Sequence, residues 1–158
     1  MKALILLGSN QSNPVQQLKN AVAHIADIAI VTKASSLYRT AAWGKTDQDD
    51  FYNQAILVES ELKADELMQK LLEIERMMGR ERIEKWAARI IDIDIVLIDE
   101  LIHQSEVLTV PHPHMQSRMF VLVPSAEIAE EMLHPIFKKN VKSLLAECDD
   151  DLEVEKIM

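Results

Sequence analysis

The chain has 158 residues, 48% of them hydrophobic and 27% charged, with 17 basic against 26 acidic side chains and a formal net charge of −9 at pH 7. That length and balance predict one globular domain over 1–158 able to close a substantial core, and the acidic field disfavours nucleic acid and anionic membranes as partners. The single Cys148 rules out an internal disulfide and fits a reducing, cytoplasmic setting, while Met1–Leu7 is too short for a signal peptide and no run reaches membrane-spanning length.

Residues 2–7 read as a buried strand ending at the turn Gly8-Ser9-Asn10. Asn13-Pro14 then supplies an N-cap and a proline at the first helical position. Val15, Leu18, Val22 and Ile25 recur at helical spacing, which predicts an amphipathic helix over 14–26. Residues 28–38 and 51–61 are β-rich, with a polar loop over 40–50 between them. Leu67, Leu71, Ile74 and Met78 mark a second helix, and Gly79 stands where a glycine ends one.

A basic loop over 80–88 precedes an acidic strand over 89–98, and Asp99-Glu100 is read as a turn into a hairpin partner at Leu101–His103. Pro111, Pro113 and Pro124 punctuate an irregular stretch with a helical turn near 115–120. Short helices are expected near 125–132 and 141–148, and the acid-rich last ten residues read as a tail or an edge strand. The order β-α-β-β-α-β predicts an α+β fold with a ferredoxin-like core, an added hairpin and C-terminal helices.

The sharpest chemical signal is Ile90-Ile-Asp-Ile-Asp-Ile-Val-Leu-Ile98. Alternation puts Asp92 and Asp94 on one face, roughly 6–7 Å apart along the strand, with Ile91, Ile93 and Ile95 opposite them and Val96 and Ile98 on the carboxylate face. Two carboxylates on a partly apolar face call for cations beside them. From Arg76 to Arg89 there are five basic residues against the acids Glu81 and Glu84, so guanidinium groups are at hand in the adjoining loop. An acid pair beside a basic loop suits a magnesium-bound polyphosphate, because magnesium takes one or two carboxylates, water and phosphoryl oxygens. Solvated acids and surface arginines paired with Glu81 and Glu84 are the bland alternative.

Three further features fit a site. Trp86 lies in a polar loop, where a large ring either caps the core or stacks on a flat ligand. His112-Pro-His114 lacks the further ligands of a zinc site; one imidazole touching a phosphate and both being surface groups are the two readings left open. Asn53 falls on the apolar alternation of Phe51, Ala55 and Leu57, so its amide needs a hydrogen-bond partner.

Several of these motifs together resemble the 6-hydroxymethyl-7,8-dihydropterin pyrophosphokinases of folate biosynthesis. The matching pieces are Leu7-Gly-Ser-Asn10, Ser36-Leu-Tyr-Arg-Thr40, Phe51-Tyr-Asn53, Gly79-Arg80 with Arg82, Trp86 with Arg89, Asp92-Ile-Asp-Ile95, and Thr109-Val-Pro-His112 with Arg118 and Phe120. They stand in family order over about residues 4–124. The resemblance implies transfer of pyrophosphate from ATP to the pterin hydroxymethyl group, giving AMP.

It further implies that Asp92 and Asp94 hold two magnesium ions and that Phe51 and Phe120 sandwich the pterin. Asn53 would bond the pterin edge, helped by backbone near Thr40–Trp43. Arg80, Arg82, Trp86 and Arg89 resemble the family's catalytic loop, with Trp86 also beside the pterin and the nucleotide. Glu75, Ile95, Thr109, His112 and Arg118 fall where the family contacts ATP, as do Arg82 and Arg89. Four places depart from the family pattern: Ala41-Ala42 replaces a proline-containing segment, Ala87-Ala88 replaces Gly-Pro after Trp86, the stretch between Arg82 and Trp86 is short, and Lys85 stands where arginine is common.

The expected partners are thus two small molecules, ATP and the hydroxymethyldihydropterin, on a monomer. Two other readings remain open from the residues alone: a two-metal phosphodiesterase or nucleotidyltransferase, and a non-catalytic nucleotide-binding module.

Overall fold

In the computed structural model, which describes residues 1–11, 13–41, 50–79 and 90–157, a mainly antiparallel sheet carries helices on both faces. The chain runs through strand β1 (Lys2–Ser9), helix α1 (Pro14–Ala26), strands β2 (Ile30–Ala34), β3 (Tyr38–Thr40) and β4 (Phe51–Glu59), helix α2 (Ala64–Met77) and strand β5 (Asp92–Ile98). There follow the short strands β6 (His103–Gln104) and β7 (Thr109–Val110), helix α3 (Met119–Ala129), strands β8 (Leu133–His134) and β9 (Lys139–Asn140), helix α4 (Val141–Glu147) and strand β10 (Glu155–Lys156). Strand β1 is central: β4 pairs with one edge and β5 with the other, while β2 and β3 pair with successive halves of β4. The expected ferredoxin-like core is therefore present.

Why β1 is apolar from Ala3 to Leu7 follows from its place. Ala3, Ile5 and Leu7 pack with Leu18, Ile25, Leu67 and Leu71 of α1 and α2, whereas Leu4 and Leu6 pack with Val121 and Leu122 of α3. A strand covered on both faces loses the alternation of a half-solvated one. Helix α1 starts as its sequence predicts, with the Asn13 side chain accepting the Gln16 N–H and Pro14 at the first position. Helix α2 is capped at Met78 and followed by Gly79, whose φ of 86° lies in the left-handed region that favours glycine.

The structure corrects several boundaries. Strand β1 continues through Gly8 and Ser9, because both residues pair across to β4. The β-rich segment 28–38 divides into β2 and β3 around Ser35, which stays tied to β4: its N–H donates to Ala55 O at 2.8 Å and its Oγ accepts the Ala55 N–H at 2.9 Å. Within β2 the register slips between Val31 and Lys33, and the Thr32 hydroxyl donates to Leu57 O.

A second slip, in β5, pairs Ile95 with Ile5 and Leu97 with Leu4, leaving Val96 as an extra residue. Beyond that bulge the alternation is inverted, so Ile98 joins the α1/α2 core instead of sharing a face with Asp92 and Asp94. The hairpin also differs: β6 pairs with β7, and Leu101–His103 does not return along β5. Asp99, with φ of 44°, instead closes the start of β1 by bonding Lys2 through both its N–H and its carboxylate. Helix α3 begins at Met119, earlier than Pro124 suggested. Its apolar sequence is buried between sheet and α4, and that burial outweighs the one internal bond the proline removes. The acidic C-terminus supplies an edge strand, with Glu155 and Lys156 paired to Arg39 and Tyr38. No helix among the described residues is long and apolar enough to cross a membrane.

Ser35→Ala should reduce stability by about 1–3 kcal/mol, because it leaves the buried Ala55 N–H without its acceptor. Urea unfolding of the variant tests this. An unshifted midpoint would mean that the β2–β3 break does not need the hydroxyl.

Candidate active site

One end of the sheet gathers the polar residues. Where β1 and β3 end and β4 and β5 begin, the register aligns Tyr38, Asn53, Gly8 and Asp92 across four strands, with Leu6 opposite Asp94. Alternation puts Asn53, Gly8, Asp92 and Asp94 on the α3 side of the sheet, since Leu4, Leu6, Ala55 and Leu57 pack there. Two strand spacings separate Asn53 from Asp92, roughly 10 Å. Between them Gly8 has no side chain, so the sheet surface forms a trough. A Cβ at Gly8 would sit 3.1 Å from Asn53 Oδ1, tighter than ordinary contact.

A cavity of about 710 Å³ opens over this trough. On the β3/β4 side it is lined by Thr40, Phe51 and Asn53, with Phe120 coming from the start of α3. Asn53 is buried, and its Nδ2 donates to the equally buried Thr40 Oγ1 at 3.2 Å, which fixes the plane of the carboxamide. The Arg118 guanidinium lies 5.8 Å from the centre of the Phe120 ring, within cation–π range. On the β5 side the lining passes to Asp92, Asp94 and Ile95, then to Thr109, His112 and Arg118.

Two groups pin the outer edge of β5. Buried Glu75, from α2, accepts the Ile93 N–H at 2.7 Å, and the His112 N–H donates to Val96 O at 2.9 Å. Both residues are thereby held against the strand that carries the carboxylates. Burial, reinforced by the electrostatic influence of Arg118 and His114, pushes the His112 imidazole down to about 4. Its Nδ1 accepts the His114 N–H at 3.2 Å. Near neutral pH the ring is therefore uncharged with its proton on Nε2, a hydrogen-bond donor.

Every described residue of the expected site lines this one cavity; Trp43, Arg80, Arg82, Trp86 and Arg89 lie outside the described residues. Sequence reasoning missed other parts of the wall. Met68 and Leu72 reach it from α2, where Leu72 lies off the core-facing spacing of Leu67, Leu71 and Ile74. Asp150 and Leu152 reach it from an acidic run with no periodicity to flag it.

Because the folded His112 binds its proton only near pH 4 and an unfolded one near 6.5, the unfolded state holds the extra proton between those values. Stability of the ligand-free protein should therefore fall as pH drops from 6.5 towards 4. His112→Asn should flatten that fall by at most about 1.4 kcal/mol per pH unit. Urea midpoints for both proteins across the window measure it; parallel curves would exclude His112 as the buried neutral group.

The model of the 7,8-dihydro-6-hydroxymethylpterin-pyrophosphokinase family (HPPK) matches residues 4–130. A relative from Methylorubrum extorquens, named 2-amino-4-hydroxy-6-hydroxymethyldihydropteridine pyrophosphokinase, is 38% identical over 151 residues, covering 94% of each chain. One of the same name from Haemophilus influenzae is 40% identical over 136 residues, 84% of each chain. Among solved structures, Plasmodium falciparum HPPK-DHPS with pteroate superposes with a TM-score of 0.70 at 15% identity; the match covers 92% of this chain and 42% of that longer polypeptide. That likeness supports the fold, and the family match and the close relatives carry the assignment: the chain belongs to the 7,8-dihydro-6-hydroxymethylpterin-pyrophosphokinase family.

Proposed function

We propose that this cavity transfers the terminal pyrophosphoryl group of ATP to the hydroxymethyl oxygen of 6-hydroxymethyl-7,8-dihydropterin. The O–P bond to the pterin forms as the bond between the α- and β-phosphates breaks, AMP departs and the hydroxyl proton is lost. One observation carries the reading. A carboxamide and a pair of carboxylates share one sheet face on either side of the bare backbone of Gly8, under a single cavity.

In this reading Phe51 and Phe120 hold the flat bicycle, and the carboxamide of Asn53 meets its donor–acceptor edge. A buried amide with fixed orientation discriminates strongly, because a ligand lacking the matching edge leaves it unpaired. Backbone near Thr40–Trp43 extends that edge. The nucleotide lies across β5, where Glu75, Ile95 and Thr109 line the cavity. Neutral His112 donates from Nε2 to a phosphoryl oxygen, and Arg118 supplies fixed positive charge. Arg80, Arg82, Trp86 and Arg89, which stand in sequence between α2 and β5, would supply guanidinium groups and an aromatic ring to the phosphates.

Asp92 and Asp94 fit a divalent cation. They are hard oxygen donors from alternate residues of one strand, and both line the cavity, so they would hold the ion while water and phosphoryl oxygens supply its other ligands. Magnesium bound there, as two ions in this reading, would neutralise phosphoryl charge and acidify the attacking hydroxyl. Asp94, the more exposed of the two, or water takes the proton. Phosphoryl-type transfer asks for positioning and charge neutralisation more than covalent help, which suits a site with no nucleophile assigned.

Incubating the protein with magnesium and ATP, with and without the hydroxymethyldihydropterin, tests the reading directly: AMP should appear only with pterin. Asp92→Asn and Asp94→Asn should each lower that rate by about 10²–10³-fold or more while the protein stays folded. Pterin-independent turnover would favour a phosphoesterase, and full activity in both variants would remove the metal role.

Gly8→Ala offers a complementary check on the trough. The added methyl displaces the Asn53 amide, so pterin binding should weaken by about 1–3 kcal/mol while ATP binding without pterin holds steady. Equilibrium titration of each substrate separates the two effects.

A further inference from the structure

The C-terminal segment bridges two walls of the cavity. Asp150 is bonded through both carboxylate oxygens, Oδ2 accepting the Met119 N–H at 2.9 Å and Oδ1 accepting the Leu152 N–H at 3.0 Å. The Met119 N–H is one of the first donors of α3, which has no partner within the helix, and the N-cap residue Arg118 provides no side-chain acceptor. The acceptor comes instead from 31 residues further along the chain. Beyond Asp150, Leu152 lines the cavity, β10 pairs with β3, and the Ile157 N–H donates to Leu37 O at 2.8 Å. The Arg39 guanidinium meets the Glu155 carboxylate at 2.6 Å. Strand β3 then ends at Thr40, the residue that accepts from Asn53.

We propose that Asp150 is a positioning residue for the pterin half of the site. Its carboxylate fixes the first turn of α3 and so the orientation of Phe120, the residue next to Met119. The inference rests on the reading of Phe120 as one plate of the pterin slot.

Three features make the effect local. A carboxylate at a helix N-terminus is stabilised by the helix dipole as well as by the bond it accepts, so it holds the first turn firmly. The body of α3 is held independently, by burial of Val121, Leu122 and Ser125. Arg118 is held from the other side, its N–H donating to Met115 O in the preceding 3-10 turn. Loss of the Asp150 carboxylate therefore loosens Phe120 without releasing the helix or the Arg118 backbone.

The test is steady-state kinetics on the full chain, run well below the melting temperature, for wild type, Asp150→Ala and Asp150→Asn. Asp150→Ala should raise the pterin KM by about ten-fold, the scale of one lost hydrogen bond to a charged group, and leave the ATP KM unchanged. The Asn variant has one carbonyl oxygen for two N–H donors, so its pterin KM should fall between the other two. Equal pterin KM values in all three proteins would overturn the proposal. A parallel rise in both KM values would also overturn it, by making Asp150 a general stabiliser. If Asp150→Ala does not fold, the Asn variant decides by the same criteria. Absence of pterin-dependent AMP formation in the wild type itself would overturn the underlying reading of the cavity, an outcome distinct from either of these.

Discussion

Strand β1 is hydrogen-bonded along both edges and buried on both faces, so neither its register nor its side-chain identities can change without cost to the whole sheet. A one-residue slip would exchange the sets of side chains packed against α1/α2 and against α3. This central strand ends at Gly8, and its pairing with Asn53 on one side and Asp92 on the other sets how far apart the amide and the carboxylates stand. The geometry of the candidate site is thus a consequence of the best-packed part of the molecule. Backbone hydrogen bonds hold its span.

Much of this was legible in the residues. The asparagine–proline start of α1, the spacing of Leu67, Leu71 and Ile74, and Gly79 all rest on local chemistry that tertiary structure leaves intact. The carboxylate pair was visible because two acids in a run of isoleucine and valine contradict a purely apolar strand. What escaped was what only pairing decides. Nothing in Ile93–Ile98 marks Val96 as the extra residue; the bulge exists because β5 must match β1 there, and it reverses the alternation that placed Ile98 beside the acids. Pro124 misled for a related reason, since a helix anchored by burial of Val121, Leu122, Pro124 and Ser125 can absorb one missing bond. Asp150 had no visible signal, because a carboxylate that caps a helix from a distant segment looks in sequence like any other acid in an acidic run.

In the proposed reading, a protein with a negative overall field handles an anion by local arrangement. The acids that face the cavity near β5 are those able to take a hard cation, Asp92 and Asp94, while Glu75 has a backbone N–H to accept. Neutral His112 brings a donor without adding to the charge that the acids must balance. A protonated imidazole in its place, beside the guanidinium of Arg118, would be opposed by like charge as well as by burial. The neutral ring avoids both.

The slip in β2 has its own consequence. Among the described residues β10 covers only the β3 end of that side of the sheet, which leaves the outer edge of β2 without a pairing strand. An open edge is a template for another chain, and its hazard grows with length and flatness. Here it spans only Ile30–Ala34, is kinked where Thr32 turns its hydroxyl onto Leu57 O, and carries Lys33 next to the kink. A second molecule approaching edge-on would meet a bend and a charge where it needs a straight ladder. The irregularity that spoils the register of β2 thus makes that edge a poorer template for a second strand.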